Sequence, residues 1–195
     1  MKKIALLMAV LMLTLSLASC GLMGEKTFTK DGISITVKGF FTEQNDLNED
    51  YNLILISPDA GVMILKETFA EFEEAKLDTD MSVKEYAEIV MEGNKLTGAP
   101  TEEDGLTYFT YTAEADGTEF TYMGFCYRGT DAYWLVQIYC PTEDYEAKKP
   151  EMMEWAKSVS FSGYVRSYEK DCFRAVLFRF GGVSNLGLSL RAKPK

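Results

Sequence analysis

Apolar and polar positions alternate early in the chain. Between Phe28 and Lys38, Ile33, Ile35 and Val37 alternate with polar residues, the period of a half-buried strand. Gly39-Phe40-Phe41-Thr42 reads as its continuation past a kink, and Gln44 to Tyr51 as a polar, acidic loop. Asn52 to Ser57 is an apolar strand. Pro58-Asp59-Ala60-Gly61 has turn chemistry, and Val62 to Lys66 returns, which predicts a hairpin. The period then changes to helical. Phe69 and Phe72 stand three apart among glutamates, predicting a short helix over 67–76. Ser82-Val83-Lys84-Glu85 has the form of a capping box. Val83, Tyr86, Ala87, Val90 and Met91 follow as one apolar stripe, and Gly93-Asn94 is a stop.

Three strands come next, over 106–113, 118–128 and 131–140. The turns between them are Glu114-Ala115-Asp116-Gly117, whose Asp-Gly pair is a strong hairpin signal, and Gly129-Thr130. In the third strand Trp134, Val136 and Ile138 point one way and Tyr133, Leu135 and Tyr139 the other. Apolar side chains on both faces predict a central strand covered on both sides. Pro141 to Asp144 opens a turn or short helix. Pro150 suits the first position of a helix over 150–159 that buries Met152, Trp155, Ala156 and Val159, and the chain becomes extended through Phe161. The order β-β-β-α-β-β-β-α defines an α+β fold, an antiparallel β-sheet with helices packed on its faces.

Composition narrows the function classes. The chain has 195 residues, 47% hydrophobic, 13% aromatic and 26% charged. That is globular, and a domain of about 140 residues needs no metal or disulfide staple. It has no histidine, which removes histidine triads and histidine metal sites. A net charge of −10 argues against nucleic acid as the main partner.

The N-terminus reads as an address. Met1-Lys2-Lys3 is a short positive region, Ile4 to Leu17 is apolar, and small residues lead to a cysteine. This is the layout of a secretory signal, too short for a transmembrane helix. Leu17-Ala18-Ser19-Cys20 resembles the lipobox of bacterial lipoproteins. The resemblance implies a signal peptide over 1–19 and diacylated Cys20 as the first mature residue, attaching the chain to the extracytoplasmic face of the cell membrane. Two acyl chains give stable attachment. The tether, assigned to 20–27 with the lipidated cysteine, keeps the domain near the bilayer, since its six residues 21–26 extend at most about 20 Å.

Charge divides the remainder. Residues 20–162 carry 28 acidic and 11 basic side chains, whereas 163–195 carry 7 basic and 2 acidic. An anionic lipid surface repels the acidic body, so the anchor and not charge holds it there. Four of the five arginines (Arg166, Arg174, Arg179 and Arg191) lie in that last segment. It is a basic C-terminal tail with three open readings: a lipid-touching tail, an extra element docked on the body, or a translated artefact without a role.

Candidate chemistry is sparse. With Cys20 lipidated, Cys126, Cys140 and Cys172 remain, an odd count that gives no complete disulfide framework. A two-residue turn at Gly129-Thr130 pairs position 126 with 133 and 140 with 119, which sets Cys126 and Cys140 far apart on opposite faces. Both read as buried thiols, with a Cys140–Cys172 bridge as the rival. Asp46, Asn48, Asp50 and Asn52 have the spacing of calcium-loop oxygens, but Tyr51 replaces the required glycine and Ser57 the closing glutamate, so a solvated loop is the plainer reading. Glu102-Glu103-Asp104 reads as a surface charge run. No GxSxG, phosphate loop, dinucleotide fingerprint or metal spacing is present. No catalytic, cofactor-binding or metal residue is therefore assigned. Tyr108, Phe109, Tyr111, Phe120, Tyr122, Phe125, Tyr127, Tyr133, Trp134 and Tyr139 crowd three strands. Most belong to the core, and alternation leaves some tyrosines for a protein or small-ligand surface.

Several segments together resemble one family. They are Val83-Lys84-Glu85-Tyr86, Tyr133-Trp134-Leu135-Val136-Gln137, Cys140-Pro141 and Trp155-Ala156-Lys157-Ser158-Val159-Ser160-Phe161. With the lipobox and short tether, 28–162 resembles the PsbP-like/DcrB-like superfamily, and more narrowly the small bacterial lipoproteins that carry that domain. The resemblance implies an αβα sandwich and an accessory or binding role without established catalysis, and it transfers no site residue. The expectation is a non-catalytic lipoprotein acting on another envelope protein. The alternative is a small-ligand-binding lipoprotein with an aromatic-lined pocket.

Overall fold

The computed structural model describes residues 24–44, 48 and 50–162. The signal segment, Cys20, Asp46, Cys172 and the tail over 163–195 lie outside the described residues.

Ten strands and three helices follow in the order β1 (Glu25–Lys30), β2 (Ile33–Lys38), β3 (Thr42–Glu43), β4 (Leu53–Ile56), β5 (Gly61–Thr68), α1 (Phe69–Glu74), α2 (Val83–Gly93), β6 (Thr101–Glu103), β7 (Leu106–Ala115), β8 (Thr118–Arg128), β9 (Ala132–Pro141), α3 (Tyr145–Lys157) and β10 (Ser160–Phe161). All pairings are antiparallel. The main sheet has the order β3-β4-β5-β9-β8-β7-β6 and a small sheet the order β1-β2-β10. The mixed α+β class and antiparallel sheets are as expected, and β9 is the central strand.

Alternation along β9 divides the core. Trp134, Val136 and Ile138 face a layer made by β2 (Ile33, Ile35, Val37) and α3 (Met152, Trp155, Ala156). Tyr133 and Leu135 face α1 and α2, through Phe72, Tyr86, Ala87, Val90 and Met91. Helices thus lie on both faces of the main sheet. Burying each such side chain contributes roughly 1.5–3 kcal/mol, which is why the two-sided pattern of β9 requires both layers.

Helix starts follow local chemistry. Ser82 caps α2, with its backbone N–H donating to Glu85 at 2.8 Å and its hydroxyl accepting from the Glu85 N–H at 3.2 Å. α1 has the same device. Thr68 N–H donates to Glu71 at 2.6 Å and Thr68 accepts from the Glu71 N–H, so the helix begins at Phe69 and Glu67 stays in β5.

Several boundaries differ from the expectation. Phe28–Lys38 is not one strand: Asp31 and Gly32 have positive φ and fold it into the β1–β2 hairpin. β1 starts at Glu25, so residues 25–27, assigned to the tether, belong to the sheet. Gly39 (φ +99°) directs the chain from the small sheet into β3 of the large one. The β8–β9 connection is longer than two residues. Gly129 N–H bonds the Ala132 carbonyl, and the register is Cys126 with Leu135 and Thr121 with Cys140, two positions from the expected pairing. A shift of two preserves the facing, and the two cysteines are on opposite sides. α3 begins at Tyr145 after a 3-10 turn (Thr142–Asp144), which places Pro150 inside it and leaves the Glu146 carbonyl without its usual helical donor. Glu102 and Glu103 form β6, an exposed edge strand.

Candidate binding face

Tyr111, Tyr122 and Tyr139 are direct cross-strand partners on β7, β8 and β9. Their rings stack at centroid distances of 4.8 Å (Tyr111–Tyr122) and 4.9 Å (Tyr122–Tyr139). The next strand answers with Gly61, the register partner of Tyr139. A β-carbon there would overlap the Tyr139 ring, so only glycine lets that ring lie flat across β5. Phe120 closes on Tyr139 edge-on at 5.9 Å. At the centre is Gln137, which is buried. Its carbonyl accepts from Tyr111 at 2.5 Å and its amide reaches Tyr51 at 3.4 Å.

This cluster shares its sheet face with the α1–α2 core but contains no described residue of a helix. Its rim (Tyr51, Ile56, Tyr111, Ala113 and Phe120) is half-buried. Burial raises every hydroxyl in it; neighbouring phenols add to this for Tyr111, Tyr122 and Tyr139, and at Tyr51 the Gln137 hydrogen bond opposes it while the Asp50 charge adds to it. Tyr139 is pushed up to about 12, and Tyr51, Tyr111 and Tyr122 are also raised. All stay protonated at neutral pH. The face is uncharged, aromatic and hydrogen-bonding on a strongly acidic body. The rings stack on one another across the three strands.

A second cluster lies under the helices. Glu67 on β5 is buried and accepts a 2.5 Å hydrogen bond from Tyr86 on α2, whose ring stacks on Tyr133 at 4.7 Å. Burial raises the Glu67 carboxyl to about 7, opposed by the Tyr86 hydroxyl and reinforced by the charge of Glu71. Sequence reasoning missed both features. Glu67 was placed in a helix beside other acids, and the tyrosine row needs the correct β8–β9 register.

Cys126 is buried in this second cluster, and Cys140 lies on the other side of the sheet, its sulfur 3.9 Å from that of Met152. Both are free thiols. Burial raises both, Cys140 to about 11, so neither is a thiolate at neutral pH. Two of the candidate calcium ligands have other partners: Asn48 accepts from the Asp50 N–H at 2.9 Å, and Asn52 bonds Asp31 at 2.9 Å and the Lys66 N–H at 2.8 Å. No group of three metal-ligating side chains occurs among the described residues.

A cleft of about 320 Å³ lies between the small sheet and the C-terminal end of α3. Charged and polar groups line it, including Glu25, Lys38, Glu154 and Lys157, and it is remote from the tyrosines. Trp155 borders it. The indole Nε1 is a buried donor without a partner among the described residues, and its ring packs edge-on against Phe41 at 5.2 Å.

No protein-family model and no curated protein matches the chain. Solved structures do. A crystal structure from Bacteroides thetaiotaomicron is similar at 14% identity and TM-score 0.51 over 75% of this chain, which spans about half (52%) of that one. The solution structure of PsbP (CyanoP) from Synechocystis is similar at 11% identity and TM-score 0.45, over 72% of this chain and 92% of that one. The first likeness concerns the fold alone, and the second, at its score, carries no inference.

Proposed function

We propose that the chain is an extracytoplasmic lipoprotein, attached to the membrane through Cys20, whose PsbP-like/DcrB-like domain is a non-catalytic accessory module that binds another envelope protein. The observation that carries the binding role is the half-buried aromatic rim of Tyr51, Tyr111 and Phe120 over buried Tyr122, Tyr139 and Gln137, on the stretch of sheet where no described helix packs. Aromatic rings with hydroxyl tips suit a protein surface, because they bury large area at small conformational cost and offer hydrogen bonds at the rim. A small-ligand site lined by these aromatics is the alternative reading. The lipobox-like Leu17-Ala18-Ser19-Cys20 supports the anchor, and β1 beginning at Glu25 supports a domain held close to the bilayer.

The test is intact mass of the chain purified from membranes of its native host, then capture of partners from the same detergent extract with Tyr111→Ala beside the parent. The expected outcome is a diacylglyceryl-modified chain starting at Cys20, with an envelope protein that the variant retains poorly. An unmodified chain starting elsewhere would falsify the anchor. Equal capture by Tyr111→Ala would remove the tyrosine row from the partner interface.

A further inference from the structure

Phe40 is the exposed large hydrophobic side chain among the described residues, at 62% exposure, while its neighbour Phe41 is 3% exposed. The contrast is built in. Phe41 packs edge-on against Trp155 in the core, and Gly39, at φ +99°, supplies the turn that brings the pair off the end of β2. Gly39 and Phe40 form a bend after β2, and the path that buries Phe41 leaves Phe40 outward. This ring is presented, not left over.

Its position gives it meaning. Glu25 is the register partner of Lys38, so Phe40 lies two residues beyond the first paired position of β1. Cys20 lies five residues before Glu25, which extended chain spans in at most about 18 Å. The end of the molecule carrying Phe40 is therefore the end nearest the anchor. Long cationic side chains share it. Lys38 pairs loosely with Glu25 at 3.7 Å, and Lys26 lies 4.3 Å from the Phe28 ring centroid with its stem along the strand. Both can extend their ammonium groups to phosphates while the stems stay on protein.

Resting on the anchoring reading, we infer that the β1–β2 end of the small sheet seats on the lipid bilayer, with Phe40 inserted at the headgroup–acyl boundary and Lys26 and Lys38 meeting headgroup phosphates. One ring is too little to recruit a domain to a membrane. Once acyl chains keep the domain there, one ring is enough to select which end faces the lipid. The acidic remainder is repelled by the same surface, which adds to the orientation and turns α1 and α2 away from it.

The experiment uses the full-length chain carrying Phe40→Trp, purified from native membranes, with the Cys20 lipid verified by mass. It is reconstituted in phosphatidylcholine–phosphatidylglycerol vesicles with and without bromine on the acyl chains. Trp134 and Trp155 are buried and supply a background read from the parent chain. Glu88→Trp, on exposed α2 surface across the main sheet, is the control. The expected result is blue-shifted emission from Trp at 40, lost mostly in brominated vesicles, with emission from Trp at 88 unaffected. Equal quenching of the two, or none at 40 on a lipidated chain, overturns the seating and leaves the anchor standing. A chain without the lipid mass overturns the anchor and the seating with it. An envelope protein captured by the parent and lost from Phe40→Ser, with no bromine quenching at 40, assigns the ring to that protein and also overturns the seating.

Discussion

Glu67 is the residue that most departs from its surroundings. In the folded chain its carboxyl holds a proton to about pH 7, against an ordinary value of 4.5. Between those values the folded state binds more protons than the unfolded one, so stability falls as pH rises. The contribution is fully present below about 4.5 and is lost as pH passes through 7. Its size is on the order of 3 kcal/mol, at 1.36 kcal/mol per pH unit. Glu67→Gln retains an acceptor for the Tyr86 hydroxyl and removes the titration. Urea midpoints measured across this range should fall with pH in the parent and stay nearly level in the variant. An identical slope in both would place the pH dependence elsewhere. The sequence could not show this group, because an acid two residues before the aromatic and acidic run at 69–74 reads as one more solvated glutamate. Only the Thr68 cap, which ends β5 after Glu67, turns it inward.

At the scale of elements, the start of α2 announced itself, whereas the start of α3 and the strand registers did not. Ser82 and Glu85 set the start of α2 from sequence alone, since capping is local chemistry between residues three apart. The Asp116-Gly117 pair marked the β7–β8 hairpin, but β7 runs on to Ala115, two residues past the expected strand end, and that is what sets Tyr111 opposite Tyr122. The tyrosine row was lost at β8–β9, where nothing in Gly129-Thr130-Asp131 states how many residues the loop uses. The small sheet was missed because Asp31-Gly32 was read through, although it is the same Asp-Gly signal as at 116–117 and the apolar parity changes across it, from Phe28 to Ile33, Ile35 and Val37. The row makes a strict demand on Gly61. Gly61→Ala places a methyl group inside the Tyr139 ring and should cost roughly 1–3 kcal/mol through overpacking. Thermal melts should show the loss, and Gly61→Ala with Tyr139→Ser should recover part of it. A melt unchanged by Gly61→Ala would mean that the ring does not lie across β5.

At the scale of the molecule, β9 is common to both layers. Cys126 reports on the α1–α2 side and Cys140 on the α3 side, and both are buried. One shared central strand predicts one cooperative transition. In single-cysteine chains at matched denaturant, the two thiols should become open to alkylation at the same midpoint. Separated midpoints would show that one layer opens while the other holds.

The short edges of the main sheet have a consequence for crowding. β3 has two residues, and β6 is Thr101–Glu103, with Glu102 and Glu103 exposed. An unpaired sheet edge is a template on which another chain can add a strand. Here a copy arriving edge-on at one end meets almost no ladder, and at the other meets its own carboxylates. Molecules confined to a plane collide far more often than molecules free in a volume. For a chain held at a membrane, the Glu102-Glu103 run would then guard against sideways polymerisation.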